Sequence, residues 1–178
     1  MIVFHVAMTC ADDYVARREP HRQTHIARLD ALRARGLVVG GGPAPDGRSA
    51  DLVYRLPQPD DLKRIVEEDP YWLAGAWTRY ASRSFTEFVE PWELAPIVLD
   101  GSRPATIVEG RTREHDMAQF ALIELRGAGR LAFGGFFEHG DTWTLMKTPD
   151  ATAALAWLEE TGFWATDALR ARPFLYVL

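Results

Sequence analysis

The sequence is poor in the features that mark disulfide-linked, membrane-spanning or nucleic-acid-binding proteins. A single cysteine, Cys10, excludes an intrachain disulfide and a cysteine-rich zinc site. No apolar stretch approaches the roughly 18 residues of a transmembrane helix, and the N-terminus lacks the basic segment of a signal peptide. A net charge of −5 leaves no basic surplus to bind phosphates. We therefore expect a cytoplasmic protein that binds neither nucleic acid nor a membrane.

What the sequence does contain is typical of a soluble globular protein. Its 178 residues are 47% hydrophobic and 25% charged, which argues against disorder. A chain of this length can bury a core without disulfides or structural metals. Arginine greatly outnumbers lysine, and alanine is abundant, a composition that points to a bacterial source with a GC-rich genome.

The first half predicts elements in the order β-α-β-β-α-β. In the first helix, Ile26, Leu29 and Leu32 recur at a spacing of three, and Gly36 ends the pattern. This order is that of a ferredoxin-like, or split βαβ, unit. The strands are expected at residues 1–9, 37–42, 50–56 and 77–90, and the helices at 21–35 and 60–68. Residues 11–20 are expected to form a loop or the frayed start of a helix, and residues 70–75 a turn.

The second half predicts the same six elements again. Phe120, Ile123 and Leu125 are expected, with Leu122, on one face of its first helix. The expected strands cover residues 104–109, 129–137, 142–146 and 174–178, and the helices 115–126 and 149–160. Matching segments also recur: LVVGG at 37–41 parallels LAFGG at 131–135, and Pro-Asp opens a helix at 59–60 and at 149–150.

This repetition predicts an α+β protein of two tandem ferredoxin-like units. We place them at residues 1–92 and 103–178, with 93–102 as a connector. The helices of such a unit cover one face of its sheet, so a second sheet must cover the other face. The two halves would supply both sheets as an intrachain pseudo-dimer. The alternative is two unrelated parts of one α+β domain, and further association into a homodimer stays open.

Two motifs of the first half carry titratable side chains. Arg22 and His25 lie three residues apart, and therefore on one face, near the start of the first helix. Asp69, followed by Pro70 and Tyr71, closes the second helix. Together with the glycine-rich strand that runs into Pro43, these motifs resemble those of the YciI-like (YCII-related) family over about residues 1–90.

The resemblance implies the dimeric α+β barrel fold, in which two ferredoxin-like units pack their sheets around a small cavity. It also implies an acid/base centre formed by a His–Asp pair, here His25 and Asp69, and no cofactor. The second half resembles the family in element order only. Ala118 stands where the histidine would be, and Thr161 where the aspartate would be, so that half is expected to be degenerate.

The chemistry of these residue types agrees with that assignment. Histidine exchanges protons near neutral pH, and a carboxylate on one ring nitrogen orients the ring and makes the other nitrogen more basic. Arg22, one turn away, is expected to steady a developing anion. His25, Asp69 and Arg22 are therefore the candidate catalytic residues. A serine nucleophile motif is absent, and Cys10 has no evident partner.

Five further residues are candidates for substrate binding: Asp46, Tyr71, Trp72, Trp77 and His21. Ordinary structure offers an alternative for each, since Asp46 lies in a PAPDG turn and the aromatic side chains suit a core. His21 and His25 are four residues apart, but without a third ligand we expect no metal.

The sequence therefore predicts a cofactor-free lyase or isomerase acting on a carbonyl or hydroxy-aromatic compound, such as a polyketide-like or quinol-like small molecule. One alternative is a cofactor-independent monooxygenase, since other barrels of this superfamily oxidise quinol-like substrates. The other is a non-catalytic ligand-binding or accessory domain.

Overall fold

Alternating strands and amphipathic helices build two antiparallel sheets in this protein. The computed structural model describes residues 1–178, which separate into two units. Unit 1 comprises Met1–Ser84, Leu94–Leu99 and Val177–Leu178, and unit 2 comprises Phe85–Glu93 and Asp100–Tyr176. The residues of the expected connector, 93–102, are thus divided between the two units.

Unit 1 has the ferredoxin-like topology that the sequence predicts. Its four strands are antiparallel in the spatial order β2-β3-β1-β4. The elements are β1 (Ile2–Cys10), α1 (Tyr14–Arg18), a 3₁₀ turn (Glu19–His21), α2 (Arg22–Ala34), β2 (Val38–Pro43), β3 (Ser49–Leu56), α3 (Asp61–Glu67), α4 (Pro70–Leu73) and β4 (Trp77–Ser84).

The core of unit 1 lies between the helices and one face of this sheet. Phe4, Val6 and Met8 alternate along β1 and pack into a cluster with Leu29 and Leu32 of α2. Because side chains of a strand alternate between faces, the intervening residues of β1 occupy the opposite face. This packing fixes the rotation of α2 about its axis, and with it the direction of every other side chain on that helix.

Unit 2 repeats the arrangement with one additional edge strand. Its spatial order is β5-β7-β8-β6-β9, again antiparallel. The elements are β5 (Glu87–Val89), β6 (Pro104–Arg111), α5 (His115–Gly127), β7 (Leu131–Phe136), β8 (Asp141–Met146), α6 (Ala151–Glu159) and β9 (Arg170–Leu175).

The expected α+β class with two sheets is confirmed. None of the helices combines the length and apolar character needed to cross a membrane.

Several local predictions are wrong. The expected turn at 70–75 begins with α4. Residues 11–20, for which a loop and the start of a helix were both open, contain α1. The expected strand at 77–90 is two strands, because β4 ends at Ser84 and β5 pairs with β7 in the other sheet. Period-two alternation continues through both strands, so the sequence pattern does not reveal that the chain changes sheets.

The buried face of α5 also differs from the prediction. Phe120 and Ile123 are 61% and 40% exposed, whereas Leu122 and Leu125 are buried. Ala118 and Ala121 complete the buried face. These small side chains give less hydrophobic signal than Phe120, although it is their face that packs against the sheet.

In each unit, the glycine-rich strand lies unusually close to the backbone of the neighbouring strand. In β2 the register shifts between Val38 and Gly40, and in β7 it shifts between Leu131 and Phe133. A Cβ on Gly41 would lie 2.6 Å from the backbone oxygen of Asp51, and a Cβ on Gly134 would meet a neighbouring backbone oxygen at 2.7 Å. Glycine is required at both positions because backbone, rather than a flexible side chain, occupies the space.

Replacing Gly41 by Ala should lower the free energy of unfolding by about 1–3 kcal/mol, because the strands must separate to admit the methyl group. Gly127→Ala is a matched control, since a Cβ there meets no atom within 4 Å and alanine favours the helix by up to about 1 kcal/mol. Urea unfolding of both variants measures the difference. Wild-type stability in Gly41→Ala would contradict this packing.

Cys10 is a buried thiol at the end of β1. Burial raises the pKa of the thiol from 9.0 to about 11, with Arg18 opposing the rise and Asp46 adding to it. The unfolded chain therefore releases this proton at lower pH than the folded chain does. A neutral thiol stabilises the folded state below about pH 9, and the contribution is lost between about pH 9 and 11.

We therefore expect the stability difference between the wild type and Cys10→Ala to decrease as the pH rises from about 9 to about 11. The tyrosines titrate in both proteins, so their ionisation cancels in the difference. Urea unfolding at a series of pH values provides the measurement. A difference that stays constant over this range would show that the thiol is not protected by burial.

Candidate active site

The Asp-Pro-Tyr segment forms the beginning of helix α4. Asp69 is the N-cap residue, and its Oδ1 accepts the backbone N–H of Tyr71 at 2.9 Å. Pro70 occupies the first helical position, where a missing N–H costs nothing. This capping contact holds the carboxylate of Asp69 in one orientation although α4 is only one turn long.

The same oxygen of Asp69 also binds the imidazole of His25. The Nδ1 of His25 lies 2.8 Å from Asp69 Oδ1. Since a carboxylate only accepts hydrogen bonds, Nδ1–H is the donor and Nε2 carries the free lone pair. His25 is 5% exposed and Asp69 is 1% exposed. The hydrogen bond between them is therefore shielded from bulk water, which does not compete for it.

Aromatic rings enclose the imidazole of His25. Tyr71 stacks on it with ring centroids 3.7 Å apart and planes inclined by 14°. Trp77 of β4 meets it edge to face, with a centroid distance of 5.2 Å. Tyr14 of α1 packs against the edge of Tyr71 at 6.0 Å. The rings therefore fix the imidazole plane and surround it with flat apolar surfaces.

The phenols near the pair stay protonated at neutral pH. Burial raises the pKa of Tyr71, and it also raises the pKa of Tyr14 and of Tyr54. The negative charge of Asp69 acts in the same direction on all three hydroxyls. At neutral pH these hydroxyls can donate hydrogen bonds but cannot act as bases.

Arg28, one turn after His25 on α2, lies on the other side of the Asp69 carboxylate. Its Nε is 4.0 Å from Asp69 Oδ2, and its Nη2 donates to the carbonyl of Ile65 at 3.3 Å. Sequence analysis missed Arg28, although its spacing from His25 places both on one helical face.

Arg22 occupies a groove on the outer side of α2. Its Nη2 lies 3.5 Å from the carbonyl oxygen of Leu99. The groove has a volume of about 770 Å³, and its wall includes Glu19, Ile26, Asp30 and Ile97. The hydrogen bond and the groove direct Arg22 toward the 97–99 segment, while His25 and Asp69 contact each other on the buried side of the helix.

Of the other residues expected at the site, some contact His25 and others do not. Tyr71 and Trp77 contact His25, as described above, whereas Trp72 packs edge to face against Tyr80 at 5.3 Å. Asp46 is exposed and accepts the backbone N–H of Arg48 at 2.9 Å. His21 is exposed at the end of the 3₁₀ turn. No group of three or more His, Cys, Asp or Glu side chains is arranged to hold a metal ion.

Unit 1 also contains a second buried His–Asp pair that sequence analysis missed. His5 Nε2 lies 2.7 Å from Asp51 Oδ1, and both side chains are almost fully buried. The register of β1 and β3 places them diagonally, since Ala7 pairs with Asp51 and His5 with Val53. The sequence did contain a signal for this pair, because His5 and Asp51 each interrupt a largely apolar strand.

Unit 2 has no counterpart of the His25–Asp69 pair. Ala118 occupies the helix position equivalent to His25 and is fully buried. Trp164 is also buried, and its Nε1 donates to Thr142 Oγ1 at 3.1 Å. His115 Nε2 does approach Glu87 Oε1 at 3.2 Å, but each side chain is more than one third exposed. Buried His–Asp pairs are therefore found in unit 1 and not in unit 2.

Solved structures with a similar fold have been described under different activities. Candidate monooxygenases from Lactobacillus acidophilus and Fusobacterium nucleatum align with 98% and 99% of this chain and with 93% and 92% of their own. Their identities are 10% and 6%, and their TM-scores are 0.61 and 0.57. At such identities the likeness shows the fold alone, which is of the dimeric α+β barrel type.

A further match covers about half of this chain. The 5-chloro-2-hydroxyhydroquinone dehydrochlorinase from Burkholderia phenoliruptrix, solved with 2,5-dihydroxybenzoquinone, is 21% identical over 51% of this chain and 93% of its own, with a TM-score of 0.40. No curated protein matches the sequence significantly.

The family comparison agrees with the motifs. The model of the YCII-related domain matches residues 2–86, a range that contains both members of the buried pair as well as Tyr71 and Trp77. The resemblance inferred from the sequence is thereby confirmed. The match spans just under half of the chain, so it is the first half of this protein that is similar to the YCII-related domain.

Proposed function

We propose that unit 1 is a cofactor-free acid/base catalyst, a lyase or isomerase for a small carbonyl or hydroxy-aromatic compound. The observation that carries the proposal is the buried hydrogen bond of 2.8 Å between His25 Nδ1 and Asp69 Oδ1. It leaves Nε2 as the basic nitrogen, in a cluster whose phenols stay protonated. Such a pair is the usual device for moving one proton at neutral pH.

In this proposal, Nε2 of His25 removes a proton from the carbon next to a substrate carbonyl. The electron pair of the broken C–H bond moves into an enolate, and Asp69 stabilises the imidazolium that forms. An isomerase returns the proton to a different atom of the enolate. In a lyase, the enolate electron pair forms a new C=C bond while a leaving group on the adjacent carbon departs with the electrons of its own bond, and the imidazolium gives its proton to that group or to water.

The aromatic surroundings support a planar substrate. Tyr71 and Trp77 contribute flat walls at right angles to each other, with centroids 5.5 Å apart. Trp77 is 3% exposed, and its Nε1 is buried without a hydrogen-bond partner. A buried donor of this kind costs about 1–3 kcal/mol while it is unpaired. An enolate or phenolate oxygen is the complementary acceptor, so this donor fits the anion formed in the reaction.

Replacing His25 by Ala should reduce catalysed proton exchange by about 10²–10⁴-fold, the usual contribution of a general base. The measurement is deuterium incorporation from D₂O into a panel of β-diketones and hydroxyquinones, followed by NMR. His21→Ala is the matched control, because it removes an exposed histidine near the start of the same helix. Undiminished exchange in His25→Ala, or oxygen consumption in place of exchange, would contradict the proposal.

Replacing Asp69 by Asn should reduce the same exchange by about 10²-fold or more while the protein stays folded. Asparagine still caps a helix, but it no longer stabilises the imidazolium and allows the wrong tautomer of His25. Asp150→Asn is the matched control, since Asp150 caps α6 through the N–H of Thr152 at 2.8 Å. An equal loss in both variants would assign the effect to capping rather than to proton transfer.

A further inference from the structure

The candidate site of unit 1 has buried hydrogen-bond donors that lack acceptors. Arg18 Nε and Trp77 Nε1 are both buried without a partner. Both atoms are N–H groups, so neither can satisfy the other. A ligand that binds here must therefore bring acceptor atoms, and the guanidinium favours acceptors that carry negative charge.

Arg18 lies against the aromatic cluster that surrounds His25. Its Cζ is 5.0 Å from the centroid of the Tyr14 ring, which packs on Tyr71, which in turn stacks on the imidazole. Its charge also lowers the pKa of Tyr71, against the larger effect of burial, and it does so more strongly than Arg22. Arg18 is thus connected to His25 through the rings of Tyr14 and Tyr71.

The charge of Arg18 is not neutralised within the chain. Its neighbour Arg17 pairs with Asp13 at 2.5 Å, and Arg28 lies near both Glu68 and Asp69. No carboxylate forms an ion pair with Arg18, although the side chain is half-buried. A partly desolvated guanidinium without a counter-charge is costly, and an anionic ligand would remove that cost.

We propose that Arg18 binds the negatively charged group of the ligand, and that the site takes a planar carboxylate, phenolate or enolate anion. Arg18 thereby takes the anion-binding role that sequence analysis gave to Arg22, whose guanidinium lies at the carbonyl of Leu99. The inference rests on the proposed function in that it names the charge of the substrate of the same site. Trp77 Nε1 supplies the second donor to this anion.

Salicylate and salicylamide are suitable probes, because they share a ring and a hydroxyl group but only salicylate is anionic at neutral pH. Calorimetric titration of the whole chain should give a salicylate affinity at least about tenfold higher than that of salicylamide, as expected for a charge-assisted hydrogen bond. Arg18→Gln should remove this preference. Arg17→Gln, the matched control, should keep it, and Arg18→Lys should retain part of it.

Binding is measured without turnover, so its outcome is separate from that of the proton-exchange experiments. Circular dichroism shows whether Arg18→Gln is folded, and the comparison of the two probes on the wild type needs no variant. Equal affinity for both probes, binding of neither probe at millimolar concentration, or an equal loss in Arg17→Gln would each overturn the proposal.

Discussion

The hydrogen bond between His25 and Asp69 joins two segments that are 44 residues apart in sequence. One oxygen of Asp69 accepts both the imidazole N–H and the backbone N–H that begins α4. The local structure of the Asp-Pro-Tyr segment and the orientation of the imidazole therefore depend on the same atom. Tyr71, placed by that helix turn, then stacks on the ring whose position Asp69 determines.

The charges around this pair are organised asymmetrically. Arg28 approaches the far side of the Asp69 carboxylate, so the carboxylate is held between a guanidinium and an imidazole. Near the aromatic cluster, by contrast, Arg18 Nε and Trp77 Nε1 are buried without acceptors. Around His25 the charges of Asp69 and Arg28 compensate each other, an arrangement that can position a base. The donors of Arg18 and Trp77 have no acceptor, which suits an anionic ligand. In our proposals, proton transfer therefore belongs to His25 and Asp69, and anion binding belongs to Arg18 and Trp77.

Much of the fold could be predicted from local patterns. The apolar spacing of α2, the glycine after it and the alternation along β3 each depend on neighbouring residues, and the structure contains these elements close to their predicted bounds. The strand at 77–90 could not be predicted correctly, because pairing with β7 beyond Ser84 depends on residues about 50 positions away. The buried face of α5 was missed because its alanines carry little hydrophobic signal.

For the site, the sequence by itself named His25 and Asp69, through motifs that resemble those of the YCII-related family, and the structure brings the two side chains together. The proton exchange that we propose for this pair rests on residue identity, because histidine is the side chain whose charge changes near neutral pH. Only the tertiary structure decided which arginine faces the aromatic cluster. Arg18 and Arg22 are one helical turn apart, and their directions follow from how α1 and α2 pack on the sheet, a consequence of long-range contacts that no local pattern records.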